Sequence, residues 1–357
     1  MKKILTIAGT RPQLVKIGAV SRVLRESFEE VLVNTGQHYD YNMAGVFFEE
    51  LNIPKPNYDL GIGSDTHGRQ TGRMMIAVEE IVEKEQPDAI IVYGDTNSTL
   101  AGAIVASKLH IPLIHIEAGL RSYNKEMPEE INRIMTDHVS TLLFVPTDLA
   151  VANLAKEGIT EGIHQVGDVM YDAVLYNMET AERKHSLADY NLISREYVLG
   201  TIHRPDNTDN IERLEAILTA FSTLEEKVYL PLHPRTKSKI ASFGLNPILE
   251  QAKNIEIVEP ISYLEMLLLE KHAKAIVTDS GGIQKEAYFA KVPCITLRDQ
   301  TEWLETIETG WNQLVNPLEV NLVEKLSNLK KGQPIDDLYG DGQAAKKIVA
   351  VLKAYFD

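Results

Sequence analysis

The sequence predicts an α/β protein built from two doubly wound parallel sheets. Two observations favour this class: short apolar runs alternate with helical patterns, and the whole rhythm occurs twice along 357 residues. Alternation of this kind is typical of right-handed βαβ units, whose parallel sheets are covered by helices on both faces. A chain of this length is also expected to divide into two domains.

The strand-like runs give the order of the expected elements. In the first half they are Ile4–Ala8, Val31–Asn34, Ala89–Tyr93, Pro112–Ile116 and Leu142–Pro146, with a last signal at Ile163–Val166. In the second half they are Tyr197–Ile202, Val228–Leu232, Ile255–Val258, Ala275–Thr278 and Cys294–Leu297. We therefore expect one domain over residues 1–168, completed by a C-terminal helix over 343–357, and a second domain over residues 169–342.

Composition argues against several classes of function. With 36 basic and 51 acidic residues, the net charge of −15 disfavours generic binding to nucleic acid or to an anionic membrane. The first residues, MKKILTIAGTRP, lack the apolar run of a signal peptide, and no run reaches membrane-span length. We expect a cytoplasmic protein.

The single cysteine, Cys294, lies in an apolar run and is expected to be a buried structural thiol.

Polar clusters follow the predicted strands throughout the chain. They are Gly9-Thr10-Arg11, Thr35-Gly36-Gln37-His38, Gly94-Asp95-Thr96, Glu117-Ala118-Gly119, His203-Arg204, His233-Pro234-Arg235 and Asp279-Ser280-Gly281-Gly282. In open α/β sheets, ligands bind at the carboxyl ends of the strands. Two domains that present such edges to each other are expected to enclose a cleft.

The first-domain clusters supply carboxylates and cations. Asp95, Glu117 and Glu129 are candidates for acid and base chemistry, because crowded and desolvated carboxylates have raised pKa values. The cations near them are Arg11, Lys16, Arg121 and Arg133. Pro128 is expected to start a helix on which Glu129, Asn132 and Arg133 share one face. Two alternatives stay open: Asp95 as a helix cap, and Glu129 as a partner of the helix dipole.

The second-domain clusters favour phosphate. Ser280, Gly281 and Gly282 lead from a strand into a helix, where exposed N–H groups and the helix dipole attract anions. Glu286, further along that helix, could accept ribose hydroxyls. The alternative is a simple tight turn followed by a solvated glutamate. His203 and His233 follow neighbouring strands and could add charge-assisted donors at the same edge, together with Arg11.

Two kinds of bound group are disfavoured by the sequence. The histidines show neither paired helical spacing nor a Cys/His framework, so we expect no metal. Gly9-Thr10-Arg11-Pro12 is not a dinucleotide fingerprint, so nicotinamide chemistry is disfavoured.

These clusters, in this order, resemble the non-hydrolysing UDP-N-acetylglucosamine 2-epimerase family. The matching stretches are GTRPQLVK (Gly9–Lys16), TGQH (Thr35–His38), GDTNST (Gly94–Thr99), HIEAGLR (His115–Arg121), PEEINR (Pro128–Arg133), HR (His203–Arg204), DSGGIQKE (Asp279–Glu286) and RDQTEWLE (Arg298–Glu305). Each motif alone is weak, but the ordered set spans nearly the whole chain and is highly specific.

The resemblance implies two Rossmann-like domains in the GT-B arrangement, a homodimer, and a nucleotide-sugar substrate held mainly by the second domain. It assigns the diphosphate to Arg11, His203, Ser280, Gly281 and Gly282, the ribose to Glu286, and the uracil to the segment that ends at Met266. His233 is expected to add a further substrate contact. The implied catalytic group is Lys16, Asp95, Glu117, Glu129 and Arg133, with His203 acting beside the leaving group and Arg121 close by.

The implied reaction inverts C2 of the sugar without a cofactor. UDP-N-acetylglucosamine (UDP-GlcNAc) would be converted to UDP-N-acetylmannosamine (UDP-ManNAc) by elimination of UDP and its re-addition, as a supply step for surface polysaccharide. The alternatives are the same chemistry on a UDP-2,3-diacetamido uronic acid, a GT-B glycosyltransferase, a hydrolysing epimerase and a catalytically silent sensor.

The chain departs from the family pattern at three places. Gln13 stands where Glu is usual, and Trp303 and Leu304 stand where many members have Arg-Pro. Tyr39 and Asp40 replace the pattern associated with a regulatory second nucleotide-sugar site, which argues against that kind of activation.

Overall fold

The computed structural model describes residues 1–37, 48, 50–301, 303–329, 332–333 and 338–357. The chain divides into two compact units: unit 1 is Met1–Tyr176 with Asp336–Asp357, and unit 2 is Asn177–Ile335. No helix among these described residues is both long enough and apolar enough to cross a membrane.

Unit 1 contains a parallel sheet of seven strands in the order β3-β2-β1-β4-β5-β6-β7. The strands are β1 (Lys3–Ala8), β2 (Glu29–Asn34), β3 (Tyr58–Asp59), β4 (Ala89–Tyr93), β5 (Leu113–Ile116), β6 (Leu142–Val145) and β7 (Ile163–Gln165). Its helices are Arg11–Leu24, His67–Glu85, Asn97–Lys108, Pro128–Val139, Asp148–Lys156, Val169–Lys184 and Ala344–Phe356. Val169–Lys184 runs across the limit between the two units. Phe356 of the last helix packs edge-on against Phe28, with ring centroids 6.0 Å apart.

Unit 2 contains a parallel sheet of six strands in the order β10-β9-β8-β11-β12-β13. The strands are β8 (Tyr197–Thr201), β9 (Lys227–Pro231), β10 (Ile255–Val258), β11 (Ala275–Thr278), β12 (Cys294–Leu297) and β13 (Asn312–Val315). Its helices are Pro205–Thr208, Ile211–Ser222, Pro234–Ser242, Asn246–Gln251, Tyr263–His272, Gly281–Phe289, Leu304–Glu308 and Leu322–Ser327, with 3₁₀ turns at Leu187–Tyr190 and Pro317–Glu319.

The central strands are apolar because both faces of each sheet are covered. Every residue of β4, β5, β8 and β11 is buried. In unit 2, one face packs into a cluster around Val198 and Phe221, and the other into a cluster around Tyr197 and Leu269. This arrangement explains why continuous apolar runs, rather than alternating ones, marked the strands in the sequence.

Both sheets reverse their winding direction at one point, between β1 and β4 in unit 1 and between β8 and β11 in unit 2. In doubly wound sheets, the loops at the carboxyl side of such a switch point form the ligand site. These loops begin at Gly9 and Gly94 in unit 1, and at Ile202 and Asp279 in unit 2. The fold therefore places a candidate site on each unit.

The predicted fold class is confirmed, and the bounds of β4, β10, β11 and β12 agree with the predicted runs. The sequence did not predict β3 or β13. Tyr58–Asp59 is too short to show an apolar pattern. Asn312 begins β13 with a buried amide that donates to Gln284 and accepts from Thr296, so its burial is not apolar in origin.

Candidate active site

In unit 1, β1 and β4 end side by side in two tight turns. Gly9 follows β1, and a Cβ at this position would collide with the hydroxyl groups of Thr35 and Ser98. Gly94 follows β4 with φ +61°, a conformation that glycine adopts readily and other residues rarely do. These two glycines allow the helix that carries Lys16 and the turn that carries Asp95 to approach each other.

Lys16 and Glu117 form an ion pair at this edge. Lys16 lies in the helix Arg11–Leu24, Glu117 follows β5, and Lys16 Nζ donates a hydrogen bond to Glu117 Oε2. The side chains are 12% and 10% exposed. Burial disfavours the Lys16 ammonium, but the charge and hydrogen bond of Glu117 outweigh burial, so the pKa of Lys16 is raised. Lys16 therefore stays a cation and can stabilise negative charge at the site.

Glu117 adopts a left-handed backbone conformation, with φ +74°. A residue with a Cβ is disfavoured there, and such strain costs about 1–3 kcal/mol. Backbone strain of this kind is concentrated at functional sites. We infer that the surrounding structure holds the Glu117 backbone in this conformation and thereby fixes the position of its side chain.

Asp95 and Arg133 form the second ion pair of this edge. Arg133 Nη1 donates to Asp95 Oδ2 at 2.5 Å. Burial raises the pKa of Asp95, the charge of Arg133 opposes this, and the negative charge of Glu117 raises it further. The net result is a raised pKa for Asp95. A carboxyl group tuned upward in this way is suited to proton transfer near neutral pH.

The helix Pro128–Val139 begins at Pro128, as predicted, but the buried acid of its first turn is Glu130. Glu130 accepts hydrogen bonds from the backbone N–H groups of Ser122 and Tyr123 at 2.9 and 2.8 Å, and from Arg133 Nε at 2.9 Å. These donors lower the pKa of Glu130 against the effect of burial. The i,i+3 spacing of Glu130 and Arg133 was a signal that could have identified this pair.

Glu129 is exposed, yet its negative charge contributes to the raised pKa of Asp95. It therefore lies within electrostatic reach of the candidate carboxylate. The alternative role of Asp95 as a helix cap is wrong, because Thr96 caps the helix Asn97–Lys108 by accepting from Thr99 N at 3.3 Å.

Arg121 belongs to a buried network instead of the exposed edge. Its guanidinium donates to Asp137, to both carboxylate oxygens of Glu157 and to the Leu120 carbonyl, all at 2.7 Å. Only 1% of the side chain is exposed. Arg121 thus positions the loop that follows Glu117. The sequence held one signal for this network. Asp137 lies in the last turn of the helix Pro128–Val139, where a carboxylate interacts unfavourably with the helix dipole and therefore needs a cationic partner.

Gln13 connects the two switch-point loops. Its side-chain oxygen accepts from Gly9 N at 2.9 Å, and its nitrogen donates to the Tyr93 carbonyl at 2.7 Å and to Thr96 and Thr99. A carboxylate could accept from Gly9 but could not donate to Tyr93. The amide at position 13 therefore fits its surroundings better than an ionised Glu would. Arg11, the first residue of the same helix, is exposed.

In unit 2, the buried carboxylate of Asp279 organises the switch point. It accepts from the backbone N–H groups of His203 and Arg204, each at 3.0 Å, and from the side chain of Asn207 at 3.2 Å. The Asp279 side chain is fully buried, whereas that of His203 is 51% exposed and lies 3.3 Å from it. Asp279 thereby holds the loop after β8 next to the loop after β11.

Ser280, Gly281 and Gly282 lie at the start of the helix Gly281–Phe289, as predicted. Ser280 is the N-cap and accepts from Ile283 N. Glu286 is buried and accepts from the Tyr263 hydroxyl at 3.0 Å, so it is not a solvated helix residue. This segment offers backbone donors, a hydroxyl and a buried carboxylate along one helix.

The two other predicted binding residues of unit 2 have local structural contacts. His233 is exposed and caps the helix Pro234–Ser242 by accepting from Arg235 N at 3.2 Å. Met266 is half-buried against the apolar cluster around Tyr197. Tyr39 and Asp40, the departures at the regulatory pattern, lie outside the described residues. Among the residues that are described, no three His, Cys, Asp or Glu side chains converge on a position for a metal ion.

Known proteins match this chain over almost its full length. The family model for UDP-N-acetylglucosamine 2-epimerase matches residues 22–353. A UDP-N-acetylglucosamine 2-epimerase homolog of Methanococcus maripaludis is 50% identical and covers 98% of this chain and 99% of its own. The UDP-2,3-diacetamido-2,3-dideoxy-D-glucuronate 2-epimerase of Pseudomonas aeruginosa is 47% identical, with 98% and 99% covered.

A solved structure also matches this chain over nearly its full length. The crystal structure of Methanocaldococcus jannaschii UDP-GlcNAc 2-epimerase in complex with UDP-GlcNAc and UDP has a TM-score of 0.82 and 46% identity. The match covers 99% of this chain and 100% of that one.

Proposed function

The chain belongs to the UDP-N-acetylglucosamine 2-epimerase family, and from this membership we propose that it interconverts UDP-GlcNAc and UDP-ManNAc. One structural observation supports the proposal in addition to family membership. Asp95, a carboxyl group with a raised pKa, shares one sheet edge with the ion pair of Lys16 and Glu117. This edge combines proton-transfer groups with fixed cations, as the inversion of a carbon centre requires.

In the proposed reaction, a carboxylate removes the proton from C2 of the hexosamine. The electrons of the C2–H bond form a C1=C2 double bond, and the C1–O bond breaks to release UDP. The intermediate is a 2-acetamidoglucal. UDP then adds back to C1 while C2 receives a proton on its opposite face, so no oxidant or cofactor is needed.

We assign proton transfer to Asp95, Glu117 and Glu129. Inversion needs a proton acceptor on one face of C2 and a donor on the other, which gives more than one carboxyl group a role. Lys16 and Arg133 supply fixed positive charge to these carboxylates. Arg121 acts indirectly, by holding the loop that carries Glu117.

We assign the nucleotide to unit 2. Ser280, Gly281 and Gly282 present backbone donors at a helix start, an arrangement that favours phosphate. His203, half-exposed beside Asp279, would neutralise the departing diphosphate, and Arg11 and His233 would add donors. Glu286 would accept the ribose hydroxyls, and Met266 would lie beside the uracil. We further propose that the protein acts as a homodimer, which light scattering can test.

A second substrate is supported by the relative from Pseudomonas aeruginosa, which is named for a UDP-diacetamido uronate and is 47% identical. The chain also has Trp303 and Leu304 in place of the Arg-Pro of many members. The Trp303 ring lies under the Lys285 ammonium, 4.3 Å from ring centroid to Nζ. A sugar with an added carboxylate would use the same C2 chemistry.

One incubation distinguishes these possibilities. The purified protein is placed in D2O with UDP-GlcNAc or with the diacetamido uronate, without an acceptor, and is followed by proton NMR. Deuterium at C2 and a mixture of the two epimers are expected for the true substrate. Release of free sugar would indicate hydrolysis. Absence of exchange with both substrates would refute the epimerase proposal.

A further inference from the structure

Both ring nitrogens of His115 face hydrogen-bond acceptors. Nδ1 lies 2.7 Å from Asp137 Oδ1, and Nε2 lies 2.8 Å from the carbonyl oxygen of Gly94. A carbonyl can only accept. Asp137 is also an acceptor: its other oxygen accepts from the Arg121 guanidinium at 2.7 Å and from Gly119 N at 3.1 Å, and this ion pair favours the carboxylate form. Both nitrogens must therefore carry protons, which makes His115 an imidazolium in the interior of unit 1.

The surroundings balance this buried charge. His115 is 0% exposed. Asp137 faces it from the helix Pro128–Val139 and is shared with Arg121, which follows β5. Glu157, from the end of the next helix, in turn pairs with Arg121. His115 and Arg121 are thus paired with the carboxylates of Asp137 and Glu157, and buried charges are tolerated when they are paired in this way.

The network links three segments that carry candidate catalytic residues: the turn at Asp95, the loop after Glu117 and the helix with Arg133. Through Nε2–H, His115 holds the carbonyl of Gly94, the residue before Asp95. Through Nδ1–H it holds Asp137, whose helix also carries Arg133. The other oxygen of Asp137 accepts from Gly119 N at 3.1 Å, two residues after Glu117.

We propose that His115 is a positioning residue for proton transfer, whose doubly protonated ring fixes the Gly94–Asp95 turn against the helix that carries Arg133. The inference rests on the proposed role of Asp95 in the epimerisation. His115 touches neither the sugar nor the nucleotide in this proposal. Its effect is to keep the Asp95 carboxyl group in place relative to C2, and displacements of about 1 Å at such a group cost about 100-fold in rate.

Two substitutions separate the two hydrogen bonds of the ring. In His115→Gln, the side-chain nitrogen reaches about as far as Nε2 and retains the bond to Gly94. In His115→Asn, it reaches about as far as Nδ1 and retains the bond to Asp137. We expect kcat for C2 exchange to fall about 100-fold in His115→Asn and only about 10-fold in His115→Gln, with little change in KM.

The control is His110→Gln, at an exposed histidine just after the helix Asn97–Lys108 and outside this network. Its kcat should stay near that of the unchanged protein. A purely structural role for His115 predicts equal kcat per folded molecule in the Gln and Asn variants. That equality, or a lower kcat in the Gln variant, would overturn the proposal.

A spectroscopic measurement covers the case in which the variants do not fold. In ¹⁵N-histidine-labelled protein, His115 should show two protonated ring nitrogens at neutral pH. A single protonated nitrogen would overturn the inference irrespective of any kinetics. If the unaltered protein exchanges no C2 hydrogen with either sugar, the proposed function fails, and the positioning role falls with it even when both nitrogens are protonated.

Discussion

The switch points of the two units have the same topology but different chemistry. In unit 1, long charged side chains meet in pairs, Lys16 with Glu117 and Arg133 with Asp95. In unit 2, backbone N–H groups and small residues line the edge, and the buried carboxylate of Asp279 orders the loops. The sheet thus determines where a ligand site lies, while the side chains at the strand ends determine what it does.

The buried carboxyl groups differ between the units as well. Glu117, Glu130 and Asp137 of unit 1 each have a cation as partner. Glu270 of unit 2 is fully buried, and neither of its carboxyl oxygens has a hydrogen-bond partner in the described part of the chain. Unit 1 contains prearranged charge pairs, whereas unit 2 holds a carboxyl group whose pKa is raised well above its ordinary value by burial.

The largest effect is expected from Asp95→Asn. The substitution removes the proposed proton-transfer group, so C2 exchange should fall about 1,000-fold or more. UDP affinity, measured by calorimetry, should stay unchanged, because we assign the nucleotide to unit 2. Asp148→Asn, at an exposed helix start, is the control. A loss of UDP binding in Asp95→Asn would place Asp95 in the nucleotide site and remove the contrast between the units.

Asp279→Asn tests the proposed nucleotide site of unit 2. The amide keeps only one accepting oxygen, so it cannot reproduce the hydrogen bonds of both carboxylate oxygens with His203 N and Arg204 N, and an unsatisfied buried donor costs about 1–3 kcal/mol. We expect UDP affinity to fall about 10- to 100-fold, with kcat at saturation nearly preserved. The control is Asp299→Asn, which breaks an exposed pair with Arg213. A fall in kcat at unchanged affinity would show that Asp279 serves the chemistry instead.

Arg133→Gln should change the pH dependence of kcat/KM more than it lowers the maximum value of kcat/KM. The cation lowers the pKa of Asp95, so its removal lets burial and the nearby carboxylates raise that pKa further. The limb of kcat/KM that reports Asp95 should move to higher pH by about one unit, whether Asp95 acts as acid or as base. Arg73→Gln, on an exposed helix face, is the control. A shift of this limb to lower pH would contradict the proposed effect of Arg133 on Asp95.

Glu270→Gln has the smallest expected effect and concerns stability. Burial, and then the charge of Glu286, raise the pKa of Glu270 well above its ordinary value. The unfolded chain loses this proton above pH ~4.3 while the folded chain keeps it, so stability falls as pH rises towards the folded-state pKa. The variant should gain about 1–2 kcal/mol at pH ~8 in urea unfolding, and less in acid. Glu215→Gln, at an exposed site, should show no such gain.

The placement of the site was predictable because it depends on strand ends. Asp95 and Glu117 follow apolar runs that the sequence shows clearly, and parallel strands bring their carboxyl ends to one edge. The ion pairs that join separate segments of the site, Lys16 with Glu117 and Arg133 with Asp95, were not predictable. Helical spacing put Glu129 beside Arg133, but the loop through Ser122 and Tyr123 folds back onto Glu130, and the path of a loop is not encoded in any periodic pattern.

The sequence also could not show which residues pair in the buried network behind the site. His115 and Asp137 are 22 residues apart, and only the folded chain shows that they meet. Arg121 shows a further limit of motifs: its charge suggested either substrate contact or orientation of the carboxylates, and only the structure shows the four hydrogen bonds of its guanidinium. Charge in a motif indicates a site, but burial decides whether a residue contacts the ligand or holds its neighbours.

The single cysteine makes the chain convenient for labelling. Burial raises the pKa of the Cys294 thiol to about 12, so at neutral pH about one molecule in 100,000 carries the reactive thiolate. A new cysteine at an exposed position such as Leu149 or Leu318 should therefore react alone with a maleimide dye or spin label. Pairs of such labels, one on each unit, would report distances in solution with and without UDP, with Cys294 left in place.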